Sequence, residues 1–174
     1  MGRNNEILVL GLGNEVLGDE RLGIDVVKEL EIRNQYPQID YCFSSIGGLE
    51  ILEFIQGYSK GVLIDTVESE DRIEGRVSVM NRDDYKETLH LSSPHDLNFK
   101  TTLSLGKKLG YHIPDQIMII AIEIIPDLIL TNRLSRNIQA GFMQILDEIN
   151  IHLEQFVCES HPCSSNKEPQ DEKV

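Results

Sequence analysis

Polar side chains at three separate points of the chain could act together on one substrate. Asp19 and Glu20 stand side by side in GDERLG, shortly after the apolar stretch EILVL near the N-terminus. Asp65 follows the apolar run GVLI, and His95 follows a proline in SSPHDL. Glu20, Asp65 and His95 would form an incomplete shell around a divalent ion, with open positions for water or substrate. Such oxygen and nitrogen donors suit nickel, zinc or manganese.

Each of these residues also has an ordinary structural explanation. Asp19 can cap the first turn of a helix, and Glu20 can be a favourable first-turn acid. Asp65 can be a capping acid where a strand ends, and a single histidine in a loop is usually exposed. The case for a site is strongest at Asp65, because a carboxylate in an apolar strand must be paired, hydrogen-bonded or bound to a cation.

The first loop matches a dinucleotide-binding loop only in part. That fingerprint needs glycines at its first, third and sixth positions. Gly11 and Gly13 fill the first two, but Val16 occupies the sixth. Carboxylates at the start of the following helix would repel a phosphate. A nucleotide site is therefore disfavoured.

Strands that alternate with helices predict one α/β domain with a mostly parallel sheet. Apolar runs predict strands near 6–10, 40–46, 61–67, 74–81 and 116–125, and the fourth of these alternates between apolar and polar residues, as an edge strand does. Helical periodicity predicts helices near 22–30, 49–57 and 97–109, and a last helix that begins near Thr131 and buries one apolar face. We expect a single domain at 1–157 and a disordered tail at 158–174, which is polar and has two prolines.

Composition excludes several classes of protein. Lys and Arg total 16 against 29 Asp and Glu, and the net charge of −13 argues against binding nucleic acid. The negative charge favours basic or metal-bearing partners, or simply aids solubility.

No apolar run reaches membrane-spanning length and no signal peptide is recognisable, so a cytoplasmic protein is expected. The three cysteines, Cys42, Cys158 and Cys163, lack paired spacing and predict neither a disulfide framework nor a cysteine-based zinc site.

From Ile7 to about Leu153 the chain resembles the maturation endopeptidases of nickel-iron hydrogenases. GLGNEVLGDERLG is similar to the family's opening signature, and GGLEILEFIQGYSKGVLIDTV to its glycine-rich turn, short helix and strand ending in Asp. SPHDL is similar to its histidine loop, and AIEI with LTNRLSRNI to its last strand and final helix. One departure concerns Glu123, since many members have Glu or Gln directly before a proline, whereas Ile124 and Ile125 intervene here.

The resemblance implies a three-layer α/β domain, with helices on both faces of a twisted five-stranded sheet. It also implies an endopeptidase that removes a short C-terminal extension from the hydrogenase large-subunit precursor after nickel insertion. By matching motif, Glu20, Asp65 and His95 would recognise nickel carried by that substrate. We expect a monomer.

The attacking group is not evident from the sequence. The sequence has no Gly-x-Ser-x-Gly elbow and no His-Glu-x-x-His helix. Serines do occur near the loops that carry the candidate residues, but loop serines are more often turn formers than nucleophiles. Our hypothesis is an aspartic-type hydrolysis, in which Asp19 or Asp65 activates water. A resident metal that acts as a Lewis acid is an alternative. So are a noncatalytic nickel-binding chaperone and a metal-dependent hydrolase of another peptide or amide.

Overall fold

The computed structural model describes residues 6–34, 36–45, 47–68, 71–82, 88–91, 98–126 and 129–158. Its sheet contains five strands in the order β2-β1-β3-β5-β4. These strands are β1 (Ile7–Leu12), β2 (Ile39–Ser44), β3 (Lys60–Glu68), β4 (Val77–Asn81) and β5 (Gln116–Ile124). β2, β1, β3 and β5 pair in parallel, whereas β4 lies antiparallel to β5 at the edge. The predicted mostly parallel sheet with a short edge strand is confirmed.

In the described residues, four α-helices cover the two faces of this sheet: α1 (Leu22–Arg33), α2 (Ile51–Ile55), α3 (Phe99–Lys108) and α4 (Arg136–Cys158). Alternate residues of β1 point to opposite faces, as the period of a strand requires. Ile7 and Val9 pack with α1 and α4, while Leu8 and Leu10 pack with α2 and α3. The three-layer α/β domain is therefore confirmed, and its two cores fix the sheet that carries the candidate residues.

The apolar face predicted for the last helix is buried, but the helix begins later than expected. α4 starts at Arg136, and the hydroxyl of Ser135 accepts a hydrogen bond from the Ile138 N–H at 3.3 Å, as an N-cap does. The preceding segment is instead held against the first loop, where the Thr131 N–H donates to the Val16 carbonyl at 3.0 Å. A contact so distant in sequence is invisible to helical periodicity.

Helix α4 extends one residue past the predicted domain limit at residue 157. Cys158 is the last residue of the helix, and the tail predicted beyond it lies outside the described residues. Within the described residues, neither Cys42 nor Cys158 takes part in a disulfide bond. Among the helices in the described ranges, none is both long and apolar enough to cross a bilayer.

Candidate functional site

A 3₁₀ turn at Gly18–Arg21 carries the two acids of the first loop between β1 and α1. Gly13 lets this turn fold back onto the end of β1, since a Cβ at Gly13 would lie 2.5 Å from the Glu20 carbonyl oxygen. The Asn14 N–H also donates to that carbonyl at 3.1 Å. Gly13 therefore permits close backbone packing that places the Glu20 carboxylate at the carboxyl edge of the sheet.

Asp19 connects the first loop to the start of α4. Its side chain is buried, and Oδ1 accepts the Ser135 N–H at 2.7 Å. Gly18 strengthens the same connection, because its N–H donates to the Thr131 carbonyl at 2.9 Å. The geometry thus gives Asp19 a structural contact across the loop, and its catalytic role stays a prediction.

Asp65 lies within β3, fully buried, and organises the loop segment 88–91. One oxygen, Oδ1, accepts hydrogen bonds from the Thr66 N–H at 2.8 Å and from the His90 ring Nδ1 at 2.7 Å. The other, Oδ2, accepts from the Thr88 hydroxyl at 2.6 Å and from the N–H groups of His90 and Leu91 at 2.9 and 3.0 Å. A carboxylate has about four lone-pair positions, so five donors saturate it.

His90 lies between Asp65 and Glu20. Its ring Nε2 is 3.6 Å from Oε2 of Glu20, and the two side chains are 13% and 15% exposed. Burial of the ring disfavours the imidazolium and acts to lower the pKa of His90. The hydrogen bond and charge of Asp65, together with Glu20, outweigh burial, so the pKa of His90 is raised above its ordinary value.

We call Glu20, Asp65 and His90 the rim cluster. The structure brings Glu20 and Asp65 together through His90, which is not among the residues predicted from the sequence. The selected histidine, His95, lies outside the described residues. Within the ranges that the structure describes, no group of three His, Cys, Asp or Glu side chains is arranged to hold a metal ion. The ligand set Glu20, Asp65 and His95 therefore stays a prediction.

A sequence signal for His90 was present in Thr-Leu-His-Leu. Leu91 is fully buried and Leu89 packs against the core, so the histidine between them belongs to an anchored segment. A buried carboxylate such as Asp65 requires partners, and the sequence between β4 and α3 offers His90 as well as His95.

The glycine-rich turn after β2 sets the position of His90. A Cβ at Gly47 would lie 1.8 Å from the His90 carbonyl oxygen, which no adjustment of side chains can relieve. We expect Gly47→Ala to destabilise the fold by about 1–3 kcal/mol, as overpacking does, and to impair any activity that depends on His90. Urea denaturation and the activity assay below would measure both effects.

Gly141→Ala is the matched control for that variant. Gly141 lies in α4, where an added Cβ would meet no neighbouring side chain or strand within 4 Å. Alanine there should stabilise the helix by up to about 1 kcal/mol. Equal behaviour of the two variants would contradict the close approach of Gly47 to His90.

Glu123, whose spacing from proline departs from the family pattern, has a structural partner. Its Oε1 accepts from the Arg76 Nε at 2.6 Å, and its side chain is only 10% exposed. A backbone hydrogen bond joins the same two residues, since the Glu123 N–H donates to the Arg76 carbonyl at 2.9 Å. Glu123 therefore helps to fix the approach of the chain to β4, beside the edge of the sheet.

Comparisons with known proteins agree with this architecture. No family model matches the chain. The curated hydrogenase 2 maturation protease of Escherichia coli (strain K12) is 27% identical over 146 residues, which span 80% of this chain and 88% of that protein. The solved structure of the hydrogenase maturating endopeptidase HybD from E. coli superposes with a TM-score of 0.62 at 21% identity, covering 86% of this chain and 93% of that one.

An archaeal structure gives a similar result. The [NiFe] hydrogenase maturation protease HybD from Thermococcus kodakarensis superposes with a TM-score of 0.58 at 22% identity, and the match covers 85% of this chain and 98% of that one. The structural matches establish the fold, and the curated relative extends the likeness over most of both sequences. The chain is thus similar over most of its length to a curated hydrogenase maturation protease, and it has the fold of solved hydrogenase maturation endopeptidases.

Proposed function

We propose that this chain removes the C-terminal extension of a hydrogenase large-subunit precursor once nickel has been inserted. The observation that carries the proposal is the rim cluster, where Glu20 and His90 converge above the buried Asp65. It lies on a fold shared with hydrogenase maturation proteases. Carboxyl ends of parallel strands are where open α/β sheets gather their sites.

Nickel belongs to the substrate in this proposal. Carboxylate oxygen and imidazole nitrogen are donors that Ni²⁺ accepts, so the chemistry of the rim fits the ion. The predicted recognition set is Glu20, Asp65 and His95. Contact between the rim cluster and nickel held by the precursor would place the scissile peptide bond over the carboxyl edge of the sheet.

Hydrolysis then needs a base for the attacking water. The water oxygen forms a bond to the peptide carbonyl carbon, a carboxylate takes the water proton, and the amine leaves with a proton. Asp65 is a poor base in this arrangement, because it is unexposed and its oxygens already accept five hydrogen bonds. We therefore favour Asp19 over Asp65 for this step, and Asp19→Asn is the variant to test.

The decisive experiment presents nickel on the substrate alone. Purified protein freed of metal by chelation is mixed with nickel-loaded precursor and, separately, with nickel-free precursor. We expect complete cleavage of the nickel-loaded precursor and no cleavage of the nickel-free one. Mass spectrometry of the large subunit measures the extent of cleavage.

Three other outcomes would change the proposal. Cleavage that requires metal added to the protease would indicate a resident Lewis acid. Nickel binding without cleavage of either precursor would indicate a noncatalytic nickel chaperone. Equal cleavage of both precursors would overturn nickel recognition while retaining the peptidase.

A further inference from the structure

We propose that the chain docks its precursor substrate on a surface beside the rim cluster, where exposed aliphatic side chains adjoin arginines. We call this surface the docking strip, and it consists of Val16, Arg21 and the segment 129–136. Its occupant is a segment of the hydrogenase large-subunit precursor that presents apolar side chains next to carboxylates. The inference rests on the proposed function, because it adds a contact that the same substrate makes away from its nickel.

The docking strip lies at the carboxyl edge of the sheet, as the rim cluster does. Val16 follows β1 and the segment 129–136 follows β5, and these strands run in the same direction. A short parallel bridge joins Leu17 to Thr131, and the Thr131 N–H donates to the Val16 carbonyl at 3.0 Å. This pairing fixes the strip to the loop that carries Glu20.

The first half of the docking strip is apolar and exposed. Because Leu17 pairs with Thr131 in parallel, the preceding residues Val16 and Leu130 come side by side. Val16 is 57% exposed and Leu130 is 77% exposed, and the adjoining Ile129 is 63% exposed. Exposed aliphatic side chains that occur singly are ordinary, whereas contiguous ones are typical of interaction sites. This half of the strip therefore fits apolar side chains of a partner.

The second half of the docking strip is cationic. Arg21, Arg133 and Arg136 line a cleft of about 660 Å³. Arg21 is paired with Asp25 at 2.7 Å, but Arg133 and Arg136 form no ion pair within the ranges that the structure describes. Guanidinium groups bind carboxylates through paired hydrogen bonds. The cleft is therefore complementary to carboxylates of a partner.

Charge and position together favour the precursor as the occupant. The chain has a net charge of −13, so its surface as a whole repels acidic partners, and a local group of cations can attract them. The 3₁₀ turn at Gly18–Arg21 joins the strip directly to Glu20 of the rim cluster. A substrate held on the strip would thus have its neighbouring residues at the rim cluster.

Kinetics of precursor processing test the inference with Leu130→Asp and with the double variant Arg133→Glu/Arg136→Glu. We expect each to raise KM for the nickel-loaded precursor at least about ten-fold and to change kcat less than about two-fold, because the strip binds substrate without touching the reacting atoms. Added salt should raise KM of the unchanged chain, and it should have a smaller effect on the double variant.

The two variants should remain folded, which circular dichroism would verify. Leu130 is largely exposed, and an acid at position 136 lies in the first turn of α4, where negative charge is favourable. Leu130→Ser and Arg136→Gln are milder changes at the same positions, and each should raise KM in the same direction.

Leu109→Asp and Lys108→Glu are the matched controls, since they make the same changes of polarity and charge at the end of α3. Leu109 is 64% exposed. Because β5 follows α3, this end of the helix lies at the amino edge of the sheet, opposite the docking strip. Both controls should process the precursor with unchanged KM. An equal rise of KM in control and strip variants would overturn the inference.

Failure of this inference is separable from failure of the proposed function. Unchanged KM in both strip variants would overturn the docking strip while the unchanged chain still processes the precursor. If the unchanged chain binds the nickel-loaded precursor in a calorimeter without cutting it, the proposed function fails, and weaker binding of both strip variants still supports the strip. A dimer of the unchanged chain that Leu130→Asp dissociates would assign the strip to a second copy and overturn the inference.

Discussion

Replacing Glu20 by glutamine is expected to abolish processing of a nickel-loaded precursor while leaving the fold unchanged. The substitution preserves size but removes the charge that faces Nε2 of His90 at 3.6 Å. Mutation of a residue that only hydrogen-bonds to a metal ligand reduces metal affinity or activity by about 10–100-fold. Loss of a charged group that binds the metal directly should therefore cost about 100-fold or more. The initial rate of precursor cleavage would measure the effect, and urea denaturation would verify stability.

Glu15→Gln is a matched control in the same loop. Glu15 is 47% exposed and pairs with Lys28 at 2.7 Å, a surface contact of small energetic value. Processing by Glu15→Gln should match that of the unchanged chain. If Glu20→Gln also cleaves at the full rate, the rim cluster is not the site of nickel recognition.

Asp65→Ala is expected to lower the free energy of unfolding by at least about 3 kcal/mol, because removal of the shared acceptor leaves several buried donors unsatisfied and each costs about 1–3 kcal/mol. The donors include the N–H groups of Thr66, His90 and Leu91. Loss of processing in this variant would therefore report both a weakened fold and a displaced His90. Chemical denaturation followed by circular dichroism is the measurement.

Two further variants, Asp115→Ala and Asp65→Asn, serve as comparisons for Asp65→Ala. Asp115→Ala removes an exposed carboxylate and should change stability by less than about 0.5 kcal/mol. Asp65→Asn keeps one acceptor oxygen but turns an amide N–H toward former donors, so it should still be destabilised. An Asp65→Ala variant within about 1 kcal/mol of the unchanged chain would refute the role of Asp65 as the organiser of 88–91.

Local sequence patterns were sufficient for the architecture. Continuous apolar runs identified β1, β3 and β5, because strands buried on both faces cannot alternate with polar residues. Asp65 was recognisable for the same reason, as a charge placed where the pattern demands an apolar side chain. The α4 face was recognisable from its helical spacing, and its residues Ile138, Ile145 and Leu146 are buried.

The contacts that complete the site were not predictable in this way. Asp19 bonds to Ser135, and Asp65 bonds to His90, across long stretches of chain. Such pairings depend on how separate elements pack, and neither helical nor strand periodicity records them. The proline-flanked His95 was selected by its motif, whereas the apolar neighbours Leu89 and Leu91 were a weaker sequence signal for His90, and only the coordinates show its contact with Asp65.

The link between the first loop and the segment before α4 has a consequence for biosynthesis. Val16, Gly18 and Asp19 each form a hydrogen bond with Thr131 or Ser135, which leave the ribosome after the strands of the sheet have been made. Pairings between distant parts of a chain form late, since the ends of a long loop must first meet. A nascent chain can therefore assemble its central strands early, yet it completes the acidic loop only after residues 131–135, which lie just before α4, have been made.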